Sequence, residues 1–124
     1  MVKEMMRQDI KIKESNLLVM GLTFKENCPD LRNTRVIDVI AELKDYGVNV
    51  DVYDPWADAD EAKAHYGIDL LGDLKGREYD GLVLAVAHNE FKLSGEALGQ
   101  IKKDNCVVYD LKNVLERELS DLRL

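Results

Sequence analysis

The sequence predicts an α/β protein, a three-layer α/β/α sandwich around a parallel sheet of about five to six strands. Short apolar runs that suit buried strands alternate along the chain with segments of helical periodicity. Strands and helices that alternate in this way form right-handed βαβ units, with helices on both faces of the sheet. A length of 124 residues is enough for one such domain with its own core. The expected architecture is therefore doubly wound and Rossmann-like.

The first strand and the first long helix have the clearest signals. Residues 17–22 form an apolar run that suits a strand buried on both faces. After a polar stretch, apolar residues recur at helical spacing from Thr34 onward. Asn33 or Thr34 can cap the start of this helix, and Gly47 stands where a left-handed C-terminal cap belongs.

The middle of the chain predicts one clear strand and several weaker elements. Residues 48–53 alternate and are rich in β-branched side chains, and Pro55 ends this second strand. Residues 57–66 predict a short helix, and residues 68–71 a weak third strand. Residues 73–80 suit a helical turn or a loop.

The last third of the chain predicts a central strand, a helix, an edge strand and a closing helix. The most apolar run in the sequence, residues 81–87, is expected to be the central strand, and a helix is predicted over 94–103. Residues 106–109 predict the last strand. The apolar stripe that predicts the closing helix consists of Leu115, Leu119 and Leu122.

Composition and charge exclude several function classes. The chain has 24 acidic and 17 basic side chains and a net charge of -7, which disfavours binding to phosphate backbones of nucleic acids. It has neither a signal-peptide pattern nor a run of ~20 apolar residues that could span a membrane. Cys28 and Cys106 are far apart, with no CxxC pair and no zinc-ligand spacing. A cytoplasmic protein without membrane or nucleic-acid partners and without a metal is expected.

The loop after the first strand is the best candidate for an anion site. It contains Lys25, Arg32 and Arg35 and leads into the N-terminus of the predicted long helix, whose free amides attract anions. An alternative is that these cations only solvate a long loop and pair with neighbouring carboxylates, such as Asp30. The loop contains a single glycine, Gly21, instead of GxGxxG, so a self-sufficient dinucleotide site is not expected.

Four motifs carry a family resemblance. The stretch GLTFKENCPDLRNT at residues 21–34 resembles the signature G-(L/M)-(T/A)-F-K-x-(N/D)-x-x-D-x-R-x-(S/T) that opens the C-terminal domain of the UDP-glucose/GDP-mannose dehydrogenase family. The similarity continues through residues 50–56, 85–88 and 108–112, so it covers the chain from about Leu17 to its end. Within the family, the sequence is most similar to bacterial UDP-N-acetylglucosamine and UDP-N-acetylgalactosamine 6-dehydrogenases of surface-polysaccharide synthesis.

The resemblance implies part of an oxidoreductase that uses NAD. Such enzymes oxidise the C6 alcohol of a UDP-sugar to a carboxylate through a thiohemiacetal and a thioester on a catalytic cysteine. That cysteine belongs to a glycine-rich motif that is not in this chain, so neither Cys28 nor Cys106 is assigned the role and no catalytic residue is expected here. The implied partners are a UDP-sugar and the N-terminal NAD-binding and central domains of the same enzyme, as a homo-oligomer.

The resemblance also implies a domain organisation and a set of binding residues. Residues 1–15 are expected to be the tail of a connecting helix and a linker, and residues 16–124 the nucleotide-sugar-binding domain. Matched to the motifs, Phe24 and Lys25 would contact the nucleotide-sugar, and Lys112 would hold its nucleotide portion. Arg32 would reach the NAD phosphates as a forked donor, unless it pairs with Asp30 in its own loop.

Two polar residues at predicted strand ends are interpreted as structural. Asp54 is expected to cap the turn at Pro55, and His88 to be a satisfied polar group and not a catalytic one.

Two other functions are compatible with an acidic α/β chain of this length. One is a receiver-like or other flavodoxin-like binding module, although residues 23–25 are not the acidic pair that a phosphoacceptor site needs. The other is a structural lobe that uses exposed Trp56 and Phe91 for subunit contacts.

Overall fold

The computed structural model describes residues 1–32, 34–74 and 76–123, which contain a five-stranded sheet of parallel strands in the order β2-β1-β3-β4-β5. The predicted fold class is confirmed. The strands are β1 (Asn16–Met20), β2 (Asn49–Tyr53), β3 (Tyr79–Leu84), β4 (Lys102–Asp110) and β5 (Leu122–Arg123).

Four α-helices accompany the sheet in the described part of the chain, and none is long and apolar enough to cross a bilayer. Two 3₁₀ turns add short connections. The helices are α1 (Val2–Arg7), α2 (Val36–Asp45), α3 (Ala59–Tyr66) and α4 (Gly95–Gly99), and the 3₁₀ turns are Asn89–Phe91 and Arg117–Leu119.

The sheet divides the core into two layers. Successive side chains of a strand point to opposite faces, so Leu17 and Val19 of β1 pack on one face, and Leu18 and Met20 on the other. All four are at most 1% exposed. The first face is covered by α1, α2 and α3, and the second by apolar side chains of the 3₁₀ turn, α4 and the segment after α3. The predicted strand buried on both faces is thus confirmed.

Helix ends follow local sequence signals. The chain after α2 passes through Gly47 at φ +80°, and α3 ends at Gly67 at φ +66°, the left-handed conformation that glycine adopts without strain. The Asp58 side chain accepts the Glu61 N–H at the start of α3. Arg35 is the residue that flanks the start of α2, while the Thr34 hydroxyl accepts the Val36 N–H at 3.2 Å. The alternative cap, Asn33, lies outside the described residues.

One predicted element in the middle of the chain is wrong. Residues 68–71 do not form a strand. Their pairing with β2 is a single isolated bridge between Leu70 and Val52. The third strand is β3, which starts two residues before the predicted run, inside the segment interpreted as a turn or loop.

The helix predicted over 94–103 ends at Gly99. The chain then pairs with β3, since the Tyr79 N–H donates to Ile101 O and the Lys103 ammonium pairs with Asp80 at 3.2 Å.

The predicted closing helix is also wrong. Of its leucine stripe, Leu115 precedes the second 3₁₀ turn, Leu119 lies in that turn and Leu122 lies in β5. The reason is tertiary pairing with β4: the Val108 N–H donates to Asp121 Oδ2 at 2.8 Å, and the Asp121 N–H donates to Val108 O at 2.8 Å. These bonds draw the end of the chain alongside the sheet as an edge strand.

The segment before β1 is packed against the domain. Met5 of α1 is fully buried in the layer that also holds α2, and Ile10 is 8% exposed. The Asn105 side chain of β4 donates to the Gln8 carbonyl. A role for residues 1–15 as the tail of a connecting helix stays a prediction.

Candidate functional site

The crevice at the carboxyl ends of β1 and β3 is the expected ligand position. In open parallel sheets, ligands bind where successive connections leave neighbouring strands in opposite directions. Here the chain leaves β1 towards β2 on one side, while β3 lies on the other side of β1. The loops that follow β1, β3 and β4 therefore build the site.

Gly21 lets the loop after β1 start close to the end of β3. Its φ is +105°, and a Cβ atom there would lie 2.6 Å from Val86 Cβ and 2.9 Å from Val86 N. Both distances are shorter than real Cβ contacts allow. The Gly21 N–H also donates to Tyr53 O at 2.9 Å, so three strand ends meet at this glycine. Only glycine fits this position.

Asp54, at the end of β2, collects hydrogen bonds from three segments. It is 5% exposed. Oδ2 accepts the N–H groups of Leu22 at 2.7 Å and Thr23 at 3.0 Å, and lies 3.0 Å from His88 Nε2. Oδ1 accepts the Trp56 N–H at 2.8 Å, across the Pro55 turn. The interpretation of Asp54 as the cap of this turn is confirmed, but the sequence did not indicate its bonds to the loop after β1.

His88 is fully buried, and its bonds assign its proton. Nδ1 accepts the Asn27 N–H at 2.8 Å, so Nδ1 carries no proton and Nε2 carries it. Nε2 lies 3.0 Å from both Asp54 Oδ2 and Thr23 Oγ1. His88 is thus a satisfied structural group, as predicted.

These groups do not form a nucleophilic triad. Such a triad needs the carboxylate and the hydroxyl on opposite nitrogens of the imidazole. Here Asp54 and Thr23 share one nitrogen, and the Thr23 hydroxyl donates to Lys25 O at 3.0 Å.

A cleft of about 390 Å³ opens beside this network. It brings together Phe24, Lys25 and Lys112, three of the four predicted binding residues, at the N-terminal end of α2. Phe24 is 55% exposed, so its ring is available to a ligand. The cleft is lined by Thr23, Phe24, Lys25, Glu26, Thr34, Arg35, Val36, Val39, Ala85, Val86, Leu111 and Lys112.

The charge of the cleft is positive, although the whole protein is acidic. Lys25, Arg35 and Lys112 face a single acid, Glu26, among the lining residues. The Arg35 guanidinium has only a loose, exposed contact of 3.9 Å with Asp38. In the described part of the chain, neither Lys25 nor Lys112 forms an ion pair. Two free ammonium groups beside helix N–H groups suit an anion such as a phosphate.

The turn that carries Lys112 is held by Asp110, which is fully buried. Asp110 Oδ1 accepts the N–H groups of Lys112 at 3.2 Å and Val114 at 3.0 Å, while Oδ2 accepts that of Leu115 at 2.8 Å. The Arg123 guanidinium lies 3.5 Å from Oδ2 and partly balances its charge. An aspartate at the end of a strand is typical of such a turn.

Arg32 does not line this cleft. It borders a separate groove near α3, and its guanidinium holds both oxygens of Asp30, with Nε–Oδ1 at 3.1 Å and Nη2–Oδ2 at 3.2 Å. This is the loop ion pair that the sequence left open as an alternative. The hydrogen bonds from Arg32 lower the pKa of Asp30. The Arg32 side chain remains 83% exposed, and a contact to a cofactor stays a prediction.

The two cysteines differ in burial, and so do the two aromatic residues that the sequence predicts to be exposed. Cys106 is buried in β4, and burial raises the pKa of its thiol to about 12, so it stays protonated. Cys28 is partly buried in the loop after β1. The prediction of an exposed Phe91 is wrong, because that ring is 1% exposed. Trp56 is 36% exposed and stacks on His88, with ring centroids 5.9 Å apart.

Comparison with known proteins identifies the family of the chain. Residues 18–117 match the family model described as the UDP binding domain of the UDP-glucose/GDP-mannose dehydrogenase family. UDP-N-acetyl-D-glucosamine 6-dehydrogenase from Pseudomonas aeruginosa is 50% identical over all of this chain, which covers 30% of that protein. The enzyme of the same name from Salmonella typhi is 47% identical over all of this chain, which covers 29% of it.

Solved structures share the fold. NDP-N-acetyl-D-galactosaminuronic acid dehydrogenase from Methanosarcina mazei Go1 superposes with a TM-score of 0.79 at 23% identity, over 94% of this chain and 24% of that one. UDP-D-ManNAc dehydrogenase from Pyrococcus horikoshii gives 0.73 at 21% identity, over 94% and 26%. The chain thus spans less than a third of the proteins that it matches. From its motifs, its fold and the match to residues 18–117, the chain belongs to the UDP-glucose/GDP-mannose dehydrogenase family and matches the UDP-binding domain of that family.

Proposed function

We propose that this chain is the nucleotide-sugar-binding domain, residues 16–124, of an NAD-dependent UDP-sugar 6-dehydrogenase. The observation that carries the proposal is the meeting of Phe24, Lys25 and Lys112 in one positively charged cleft at the start of α2. The ammonium groups suit the two phosphates of UDP, and an exposed aromatic ring suits a flat or apolar part of the ligand. We assign Lys112 to the nucleotide portion, and Phe24 and Lys25 to the part nearer the sugar.

The size of the cleft supports a shared site. A volume of about 390 Å³ is near the lower end of the range for small-molecule pockets, and the cleft opens to solvent. A UDP-sugar bound there would leave its sugar exposed. The remaining wall would be supplied by the central domain of a longer protein, which would also carry the catalytic cysteine.

NAD does not fit a site made by the described residues alone. The loop after β1 contains one glycine, and its approach to β3 is filled by Val86 and by the bonds between Asp54 and His88. We therefore assign NAD to an N-terminal domain of the longer protein. From this chain we assign Arg32 to its phosphates, because the guanidinium is exposed at the surface and has a forked shape.

Our proposal for the substrate is a UDP-N-acetylhexosamine, oxidised at C6 to the uronic acid for surface-polysaccharide synthesis. The support is the identity of 50% and 47% to two enzymes named UDP-N-acetyl-D-glucosamine 6-dehydrogenase. A cytoplasmic location and a homo-oligomeric holoenzyme belong to the same proposal.

The binding part of the proposal is tested by adding UDP to the ¹⁵N-labelled chain. We expect amide signals of Phe24, Lys25, Val36 and Lys112 to shift with a common dissociation constant, while signals of α3 stay in place. Uridine, which lacks the phosphates, is the control and should bind more weakly. Unchanged spectra at millimolar UDP would contradict the proposal.

The catalytic part is tested by NADH formation. With a UDP-N-acetylhexosamine and NAD, the chain alone should produce none, and activity should appear when it is joined to the NAD-binding and central domains of a relative. Turnover by this chain alone would contradict the division of roles.

A further inference from the structure

The loop that carries Phe24 and Lys25 is attached on both sides of these residues to buried side chains from other strand ends. Before them, the N–H groups of Leu22 and Thr23 donate to Asp54. After them, the Asn27 N–H donates to His88 Nδ1.

We propose that Asp54 and His88 are positioning residues for substrate binding. Asp54 holds the start of the loop and keeps the proton of His88 on Nε2, so that Nδ1 can accept the Asn27 N–H and hold the loop's far end. This inference rests on the proposed nucleotide-binding function, because it assigns the pair to the placement of Lys25.

Within the loop, the Phe24 N–H donates to Asp30 O at 2.7 Å and the Thr23 hydroxyl donates to Lys25 O at 3.0 Å, while the far end at Asn27 is bonded to the segment after β3. Asn27 has φ +52°, a left-handed conformation that costs a non-glycine residue free energy unless its contacts compensate. Its backbone N–H bonds to His88, and its side-chain Oδ1 accepts the Asn89 N–H at 3.0 Å. Both partners belong to the segment after β3. The exit of β3 therefore determines where the loop after β1 turns back.

Burial makes the bond at His88 difficult to replace. The ring is fully buried, with Trp56 stacked over it and Phe91 against it at a centroid distance of 5.3 Å. The Trp56 indole is itself held by Glu90, with Nε1–Oε1 at 3.0 Å. Water has no access to the imidazole, so without the Asn27 N–H the buried Nδ1 acceptor would be left unsatisfied.

The position of the proton decides whether the loop can bond to the ring. If Nδ1 carried the proton, it would face the N–H of Asn27, and two donors would oppose each other. Asp54 prevents this, because a carboxylate only accepts and its Oδ2 lies 3.0 Å from Nε2. Neither side chain lines the cleft, so both act through the backbone that presents Lys25.

Two substitutions of His88 separate its acceptor from its donor. Asn places a carbonyl oxygen at the position of Nδ1, whereas Gln places an amide nitrogen at the position of Nε2. Both remove the ring and its contacts with Trp56 and Phe91, so they share that loss of stability. We expect His88→Asn to keep the UDP affinity within about threefold of the original chain, and His88→Gln to weaken it about tenfold.

The experiment combines UDP titration with amide hydrogen exchange of Asn27 in the full chain. Exchange should be slow in the original chain and in His88→Asn, and fast in His88→Gln. Leu98→Ala, in the core around α4, is the matched control, because it should lower stability without changing either measurement. In the original chain, ¹⁵N shifts should show the proton of His88 on Nε2.

The outcomes separate this inference from the proposed function. Equal affinities and equal Asn27 exchange in His88→Asn and His88→Gln would overturn the inference, as would a proton on Nδ1. If the original chain bound no UDP while Asn27 exchange followed the expected order, the proposed function would fail, and the assignment of the pair to substrate binding would be overturned with it.

Discussion

Thr23 and His88 are 65 residues apart in the sequence, and yet Thr23 Oγ1 lies 3.0 Å from His88 Nε2. The contact joins the segment after β1 to the segment after β3 across the crevice between these strands. The contact therefore closes the crevice with polar side chains. Phe24 and Lys25 line the cleft beside it.

The two free lysines of the cleft should both contribute to UDP binding. Lys25→Ala and Lys112→Ala should each weaken UDP binding about tenfold, because each removes a positive charge that lies near the phosphates. Calorimetric titration measures the effect, and its salt dependence should fall in both variants. Lys63→Ala, on the solvent side of α3, removes the same charge away from the cleft, where the Lys63 ammonium pairs with Asp69 at 3.1 Å. An equal loss in that control would attribute the effect to net charge and contradict the assigned contacts.

The close approach at Gly21 should make any side chain there costly. Gly21→Ala should lower the free energy of unfolding by about 2–5 kcal/mol, since it adds overpacking against Val86 to the strain of a positive φ. Gly67→Ala is the control, because φ there is also positive but no atom lies within 4 Å of the added Cβ. Its cost should be about 1 kcal/mol. Urea unfolding of both variants measures the difference, and equal costs would contradict the crowding.

The thiols should differ in reactivity. In the folded chain, a thiol reagent should modify Cys28 and leave Cys106 unmodified, because burial raises the pKa of Cys106 to about 12. Both should react in denaturant. Cys28→Ser should make the folded chain unreactive. Rapid modification of that variant under native conditions would contradict the burial of Cys106.

The buried thiol of Cys106 should lower the stability of the folded chain at high pH. In the unfolded chain, the thiol ionises near its ordinary pKa of 9.0, while in the folded chain it stays protonated. The unfolded state therefore binds fewer protons between pH 9 and pH 12, and stability falls as pH rises through this window. Cys106→Ala should remove this part of the decline in urea unfolding at several pH values.

The ion pair of the loop predicts a change at acid pH. Arg32 lowers the pKa of Asp30, so the pair contributes stability above the ordinary Asp pKa of 3.8, and the contribution is lost as pH falls through the lowered value. Arg32→Gln should move the Asp30 pKa back towards 3.8 in an NMR titration of its carboxyl carbon. An unchanged pKa would show that the two side chains do not pair in solution.

Local patterns predicted the elements that depend on local forces. The helix cap at Gly47 and the strand at 48–53 follow from conformational preference and burial, and both are confirmed within one or two residues. The closing helix predicted from leucines 115, 119 and 122 is wrong. A spacing of three or four residues gives no information about the hydrogen bonds between Asp121 and Val108, which place this segment beside β4. Pairing with a distant strand outweighs helical preference there.

The candidate site likewise has features that a local sequence pattern predicts and features that depend on tertiary packing. The sequence by itself determined the α/β class, the motif that contains Phe24 and Lys25, and the turn that contains Lys112, since each is a contiguous pattern. Only the tertiary structure decided that these residues share one cleft and that Arg32 lies outside it. It also decided that Asp54 and His88 accept hydrogen bonds from the loop after β1. The physical reason is that hydrogen bonds between residues 31 to 65 positions apart depend on how the strand ends pack, and no local spacing encodes that packing.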